Sequence, residues 1–270
     1  MINNNSLIFF KKPLSFIRTV LIFGFCSATI LLLFQGCDSD KGWDCAQKAG
    51  TIVETEFTVQ PFTKILVWER VQLFVKQGVE QKVVVQTGEN LITDVEVTVT
   101  DGKLEVHNNN TCNLVRDYEL TKVYITSPNI TEIRSSTGLS VESIGVLQYP
   151  SLTLLSEDHV IEDQYHTDGD FKLNLDVDDL TIVANGLSKF YLNGNATYAS
   201  FGLYSSDCRI YAENLIIQNL DVYHRSTGPM VVNPQQSIKG KIVSLGDVIS
   251  KNQPPIVEVE ELYRGRLIFE

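Results

Sequence analysis

The sequence predicts an all-β chain, a parallel β-helix or β-solenoid with antiparallel hairpins in its N-terminal part. Three observations carry that expectation. From Thr51 onward, apolar and polar residues alternate in short runs rich in Val, Ile, Thr and Phe, the period-two pattern of strands. Turn residues separate those runs, and no long segment keeps a helical period. In the second half the runs recur about every 20 residues, within the range of β-solenoid coils.

The elements follow in order. IVETEFTV, KILVWERVQLFVKQ, QKVVVQTG, VEVTVT and KLEVHN read as strands, divided by Gln60-Pro61, Gly78, the run from Thr87 to Asn90, and Asp101-Gly102. VEVTVT and KLEVHN flank Asp-Gly, a two-residue hairpin turn. A single helical turn is expected near Ala46. Repeats then open at Asp179, Ala199, Asn219 and Gly240, with earlier copies at Lys122 and Ser151. Each begins with a short strand, such as Leu180 with Ile182 or Leu220 with Val222. A small or turn residue follows, and then a second short strand. One coil cannot bury its inward side chains alone, so Leu180, Phe201 and Leu220 are expected at equivalent inward positions, stacked on one another. An antiparallel sandwich also repeats strands at short spacing. The drifting period and the single Gly or Asn turns favour the solenoid.

The N-terminus has another character. Lys11, Lys12 and Arg18 precede an apolar run from Val20 to Phe34, and Gly36 stands just before Cys37. Basic, apolar and small residues in this order make a signal peptide, and a cysteine after the small residue is the lipobox of a bacterial lipoprotein. Residues 1–36 are therefore expected to be removed and Cys37 acylated, with residues 37–50 as a polar tether. An uncleaved membrane anchor is the competing reading, since the run approaches spanning length.

Three of the 22 basic residues lie in that segment, which has no acidic residue. The mature chain then carries 19 basic against 33 acidic residues, a net charge of −14. Such a surface repels phosphate backbones and argues against nucleic acid as a partner. Beyond Cys26 and Cys37, three cysteines remain. In an oxidising compartment one disulfide and one free thiol is the simplest count. Cys45 follows the tether and Cys112 lies in the turn-like run NNNTCN, so these two are expected to pair. Cys208, between apolar runs, is expected to be a buried free thiol. No two of the three are spaced as zinc ligands.

The runs NNNTCNLVRDYELTKVYITSPNITEIRSSTG, LTIVANGLSKFYLNGN and VNPQQSIKGKIVSLGDVISKNQPPIVEVEELYRGRLIFE resemble the family called "putative auto-transporter adhesin, head GIN domain", secreted or lipid-anchored proteins of Bacteroidetes-type bacteria. The resemblance runs from about Thr51 to Ile249 and continues into the tail. It implies a right-handed β-helix-like domain over residues 51–250, with residues 251–270 as a tail strand, and supplies no catalytic residues.

The remaining constellations have bland readings. Asp168, Asp170, Asp176, Asp178 and Asp179 could ligate calcium or serve as a carboxylate pair, but the run lacks EF-hand spacing and the glycine-rich nonapeptide. It reads as a solvated edge. His107, His159, His166 and His224 share no metal spacing, and no Gly-x-Ser-x-Gly occurs. Tyr191, Tyr198, Tyr204, Tyr211 and Tyr223 could stack on sugars, but the same strand composition predicts tyrosine ladders. No catalytic residue, metal site or cofactor is expected. The sequence points to a non-enzymatic, lipid-anchored envelope protein at the outer membrane, adhesin-like, held by the lipid at Cys37. It would contact an unknown protein or glycan through a repetitive β face. A carbohydrate-binding or carbohydrate-active β-helix is the alternative.

Overall fold

Alternation of inward apolar and outward polar side chains turns almost the whole chain into strands. The computed structural model describes residues 45, 47–114, 120–159 and 164–270. Contacts divide the chain into residues 1–45, of which only Cys45 is described, and residues 46–270, which hold every strand. The signal segment and Cys37 lie outside the described residues.

The protein is all-β, and its described residues form 17 strands in one continuous sheet. The first ten are short: β1 (Ile52–Phe57), β2 (Lys64–Val67), β3 (Gln72–Gln77), β4 (Lys82–Gly88), β5 (Val95–Thr100), β6 (Lys103–Asn108), β7 (Lys122–Ser127), β8 (Glu132–Ser135), β9 (Val141–Leu147) and β10 (Ser151–Ser156). Four long strands follow: β11 (Phe171–Ala184), β12 (Lys189–Leu203), β13 (Arg209–His224) and β14 (Met230–Ile242). The chain closes with β15 (Val248–Ser250), β16 (Ile256–Glu261) and β17 (Leu267–Phe269).

Pairing arranges these strands in two ladders. The first runs β5, β6, β2, β8, β10, then the C-terminal halves of β11 to β14, then β16. The second runs β1, β4, β7, β3, β9, then the N-terminal halves of β11 to β14, then β15 and β17. From β3 and β2 onward every rung is parallel. Among the described residues, antiparallel pairs occur only at the N-terminal end, as β1–β4, β4–β7 and β5–β6. The β5–β6 turn is the expected Asp-Gly hairpin, with both residues left-handed (Asp101 φ 51°, Gly102 φ 71°).

The long strands pass from one ladder to the other. In β11, burial alternates up to Val177, two consecutive residues (Asp178 and Asp179) face outward, and alternation resumes at Leu180. That slip marks a bend, which keeps apolar side chains inward on both ladders. The two short strands expected in each repeat are thus joined differently: the second strand of one repeat fuses with the first of the next. The run KILVWERVQLFVKQ is also divided, because Trp68–Val71 turns a corner with Arg70 at φ 63° and sends β2 and β3 to different ladders. A 3-10 turn at Ile92–Asp94 was not signalled by the sequence.

Inward side chains form continuous columns. On the second ladder, Val85, Val123, Leu73, Val141, Phe171, Phe190, Ile210, Met230, Val248 and Leu267 follow one another rung by rung. On the first, Leu180, Ala199, Leu220 and Ile238 share a column. This corrects the expected stack. Leu180 and Leu220 are equivalent, but Phe201 belongs to the next column, with Ile182 and Val222. All three lie on parallel neighbours and are buried. The offset between rungs is 19, 21 and 18 residues along the Leu180 column, so a fixed period misplaces the register.

Candidate functional site

Cys45 and Cys112 form a disulfide, as the sequence led us to expect. Cys208 is free and buried, its Sγ directed at the carbonyl of Gly186 at 3.1 Å. Burial pushes its thiol up to about 12, which keeps it in the unreactive protonated form.

The acidic run does not converge. Asp168 and Asp170 sit at the turn before β11, whereas Asp176 to Asp179 lie at its bend. Six residues of strand place Asp170 and Asp176 roughly 20 Å apart along the chain. Among the described residues no cluster of three or more His, Cys, Asp or Glu side chains could hold a metal. The histidines are also dispersed. His107 stacks on Trp68 at 4.9 Å, His159 and His166 approach Glu157 and Glu69 at 3.4 Å, and His224 is buried.

The outward surface of the second ladder carries ordered columns of aromatic, charged and aliphatic side chains. One outer column runs Tyr124, Phe74, Glu142, Lys172, Tyr191, Tyr211, Val231, Ile249 and Ile268. Within it Phe74 and Tyr124 stack at 5.0 Å, Glu142 and Lys172 form an ion pair at 3.2 Å, and Tyr191 and Tyr211 stack at 5.1 Å. A parallel row begins with Asn174, whose Oδ1 accepts from Asn193 Nδ2 at 3.2 Å. On the first ladder, Tyr204 after β12 and Tyr223 of β13 stack at 5.0 Å. The paired rings lie within 15° and 28° of parallel, so each offers one face to its neighbour. A sugar-stacking platform needs those faces free.

Beside the column, the turns leave an open groove of about 630 Å³. Its walls carry Glu142, Asp170, Lys172, Lys189, Asp207 and Arg209. Arg209 Nη2 donates to Asp207 Oδ2 at 2.6 Å and, with Thr227, holds that carboxyl below the usual range. At Glu142, burial raises the pKa, but hydrogen bonds from Ser140 and Lys172 outweigh it and the result lies below normal. Both carboxylates are thus fixed as anions in ion pairs, unlike a carboxyl raised for proton donation. The groove can offer hydrogen bonds and charges of both signs to an extended polar partner.

Residues 61–254 match the family described as "putative auto-transporter adhesin, head GIN domain". The chain belongs to this family. Solved structures share the fold of this head GIN chain. A putative adhesin from Bacteroides fragilis NCTC 9343 superposes with a TM-score of 0.72 at 18% identity, over 83% of this chain and 100% of its own. A putative adhesin from Parabacteroides distasonis ATCC 8503 gives 0.58 at 16% identity, over 83% and 99%. A putative lipid binding protein from the same strain gives 0.55 at 14% identity, over 82% and 100%. No curated protein matches the chain. The family and these neighbours are described as adhesins or lipid-binding proteins, not as enzymes.

Sequence reasoning did not single out the groove of the head GIN chain. Glu142, Lys172, Lys189 and Arg209 come from four different rungs, and only the rung register brings them together. Of the acidic run read from the sequence, Asp168 and Asp170 do line the groove, while the tyrosine spacing of 20 residues pointed to the neighbouring outer column.

Proposed function

We propose that the protein is a non-enzymatic, adhesin-like component of the cell envelope, built as a right-handed parallel β-solenoid. In this reading residues 51–250 form the head domain, residues 251–270 its tail strand, and residues 37–50 the tether. A diacylglycerol on Cys37 holds the mature chain at the outer membrane after residues 1–36 are removed. Parallel, in-register rungs at offsets near 20 residues support the solenoid. The order of basic, apolar and small residues before Cys37 supports the anchor.

The partner is a macromolecule met by the outward surface of the second ladder. The repetition of like side chains on successive rungs carries this reading: Tyr191 over Tyr211, and Asn174 beside Asn193. Rungs about 4.8 Å apart place these like pairs side by side along a flat face, which suits an extended protein or glycan.

The test offers the full chain, in nonionic detergent, to a glycan array and to intact bacterial cells. Saturable binding without release of cleavage products is expected. It should weaken at least tenfold in a Tyr191→Ala, Lys189→Glu double variant that melts like the wild type. Equal binding by the variant would overturn the face assignment, and accumulation of glycan products would establish a carbohydrate-active protein instead. In parallel, Cys37→Ser should abolish acyl labelling and leave the precursor uncleaved. Normal labelling in that variant would remove the anchor.

A further inference from the structure

The two ends of the sheet are finished differently. At the N-terminal end, antiparallel β1, β4 and β5 cover the parallel rungs, and Phe57, Val59, Val97 and Val99 pack against the core. At the other end lie β16 and β17, and among the described residues nothing pairs with their outer edges. Val257 and Phe269, which continue the buried columns of Ile238 and Ser250, are 41% and 37% exposed. Leu262 and Tyr263, between the two strands, are exposed as well.

The charges on this edge are ordered. In one outer column Asp221, Lys239 and Glu258 succeed one another, and in the next Lys241 precedes Glu260. Lys239 Nζ lies 3.1 Å from Glu258 and Lys241 Nζ 3.6 Å from Glu260. Sign alternates from rung to rung, and both columns stop on a glutamate with one side open. The complementary next rung carries two basic residues at positions i and i+2 and an apolar residue at i−1 to cover Val257; Val259 already packs against the core.

We propose that the edge formed by β16 accepts a β-strand from another protein, with basic residues on its outward side and aliphatic residues flanking them on its inward side, adding a rung to the sheet by main-chain hydrogen bonding. Edge glutamates alone could be explained as protection against unwanted pairing. That explanation does not account for the apolar inward side chains left bare beside them. A second copy of this chain does not fit. Pairing β16 with itself would set Glu258 and Glu260 against glutamates. The opposite-end strands present Glu54 and Glu56 on β1 and Glu96 on β5. This edge is separate from the face invoked above, and either contact can stand without the other.

The probe is a fluorescein-labelled peptide, QSIKGKIV, which copies residues 236–243, the strand already paired with β16 on its inner side. Its comparison peptide is QSIEGEIV. Anisotropy with the full chain in nonionic detergent should show saturable binding of the lysine peptide, at least tenfold tighter than the glutamate peptide. Glu258→Lys with Glu260→Lys should reverse that preference. Glu54→Lys with Glu56→Lys, an equal charge change at the opposite end, should alter binding less than twofold. Three results would overturn the proposal: no binding of the lysine peptide, an equal loss in both double variants, or sedimentation of the unliganded chain as an edge-paired dimer. The wild-type comparison of the two peptides needs no variant, so it decides the matter if the substitutions impair folding.

Discussion

Phe171 and Phe190 stack across adjacent rungs of the second ladder, their ring centroids 4.8 Å apart and their planes within 8° of parallel. Both are fully buried at the centre of a ten-residue column. Phe190→Ala removes one ring and leaves a cavity that its neighbours on either rung, fixed by the backbone spacing, cannot close. The expected cost is roughly 3–5 kcal/mol, read as a lower urea midpoint with an unchanged m-value. A loss under about 1 kcal/mol would show that the column repacks.

Gly194 has φ 108°, and a Cβ there would collide with the carbonyl oxygen of Leu175 on the rung below. Gly102, in the β5–β6 hairpin, has φ 71° and open space around it. Gly102→Ala should cost roughly 1–2 kcal/mol, the left-handed penalty alone. Gly194→Ala adds a backbone collision and should destabilise clearly more. Thermal melts of the two variants side by side test the ranking.

His224 occupies an inward position between Leu203 and Ile242 and is fully buried, with neither ring nitrogen hydrogen-bonded to any described residue. Burial pushes its pKa down to about 4, partly offset by the nearby backbone of Gly228 and by the charge and backbone of Asp247. The unfolded chain takes up this proton near pH 6.5, and the folded chain only near pH 4. Stability is therefore complete above pH 6.5 and falls as pH drops from there towards 4, by on the order of 3 kcal/mol. His224→Leu should flatten that part of the pH–stability curve while leaving the neutral-pH value equal or higher. An unchanged acid slope in the variant would place the titration elsewhere.

The Cys45–Cys112 bridge closes a long loop through β1 to β6, and in the chain-entropy model such a closure stabilises by about 4 kcal/mol. Peptide mapping without reductant should recover the two cysteines linked and Cys208 free. Reductant should lower the melting temperature of the wild type and leave a Cys45→Ser, Cys112→Ser variant unaffected.

Strand content and the Asp101-Gly102 hairpin were legible in the sequence because each rests on local chemistry: alternation in one case, two left-handed residues in the other. Rung register was less so. Ala199 is the true partner of Leu180 and Leu220, yet it is a small residue two positions before a conspicuous Phe201, and size misdirects an eye looking for core positions. Register shifts between Tyr191 and Asn193, and again between Tyr211 and Ile216, change the repeat length within single strands. The corner at Trp68–Val71 was hidden because a continuous alternating run gives no sign that it changes ladder. The groove was hidden, apart from Asp168 and Asp170, because its other walls come from several rungs that only the register brings together.

Strand β2 lies between β6 and β8, and β3 between β7 and β9, so in the N-terminal part spatial order departs from chain order. Each long strand from β11 to β14 meets its predecessor about one repeat earlier. The opening strands instead wait for partners tens of residues downstream. A polypeptide emerging N-terminus first, from a ribosome or a translocation channel, has β2 and β3 in hand well before β8 and β9 exist. This half must stay open until β8 and β9 have emerged, while the rest can then zip on rung by rung. The step that sets the pace of assembly therefore belongs to the end of the molecule that is made first.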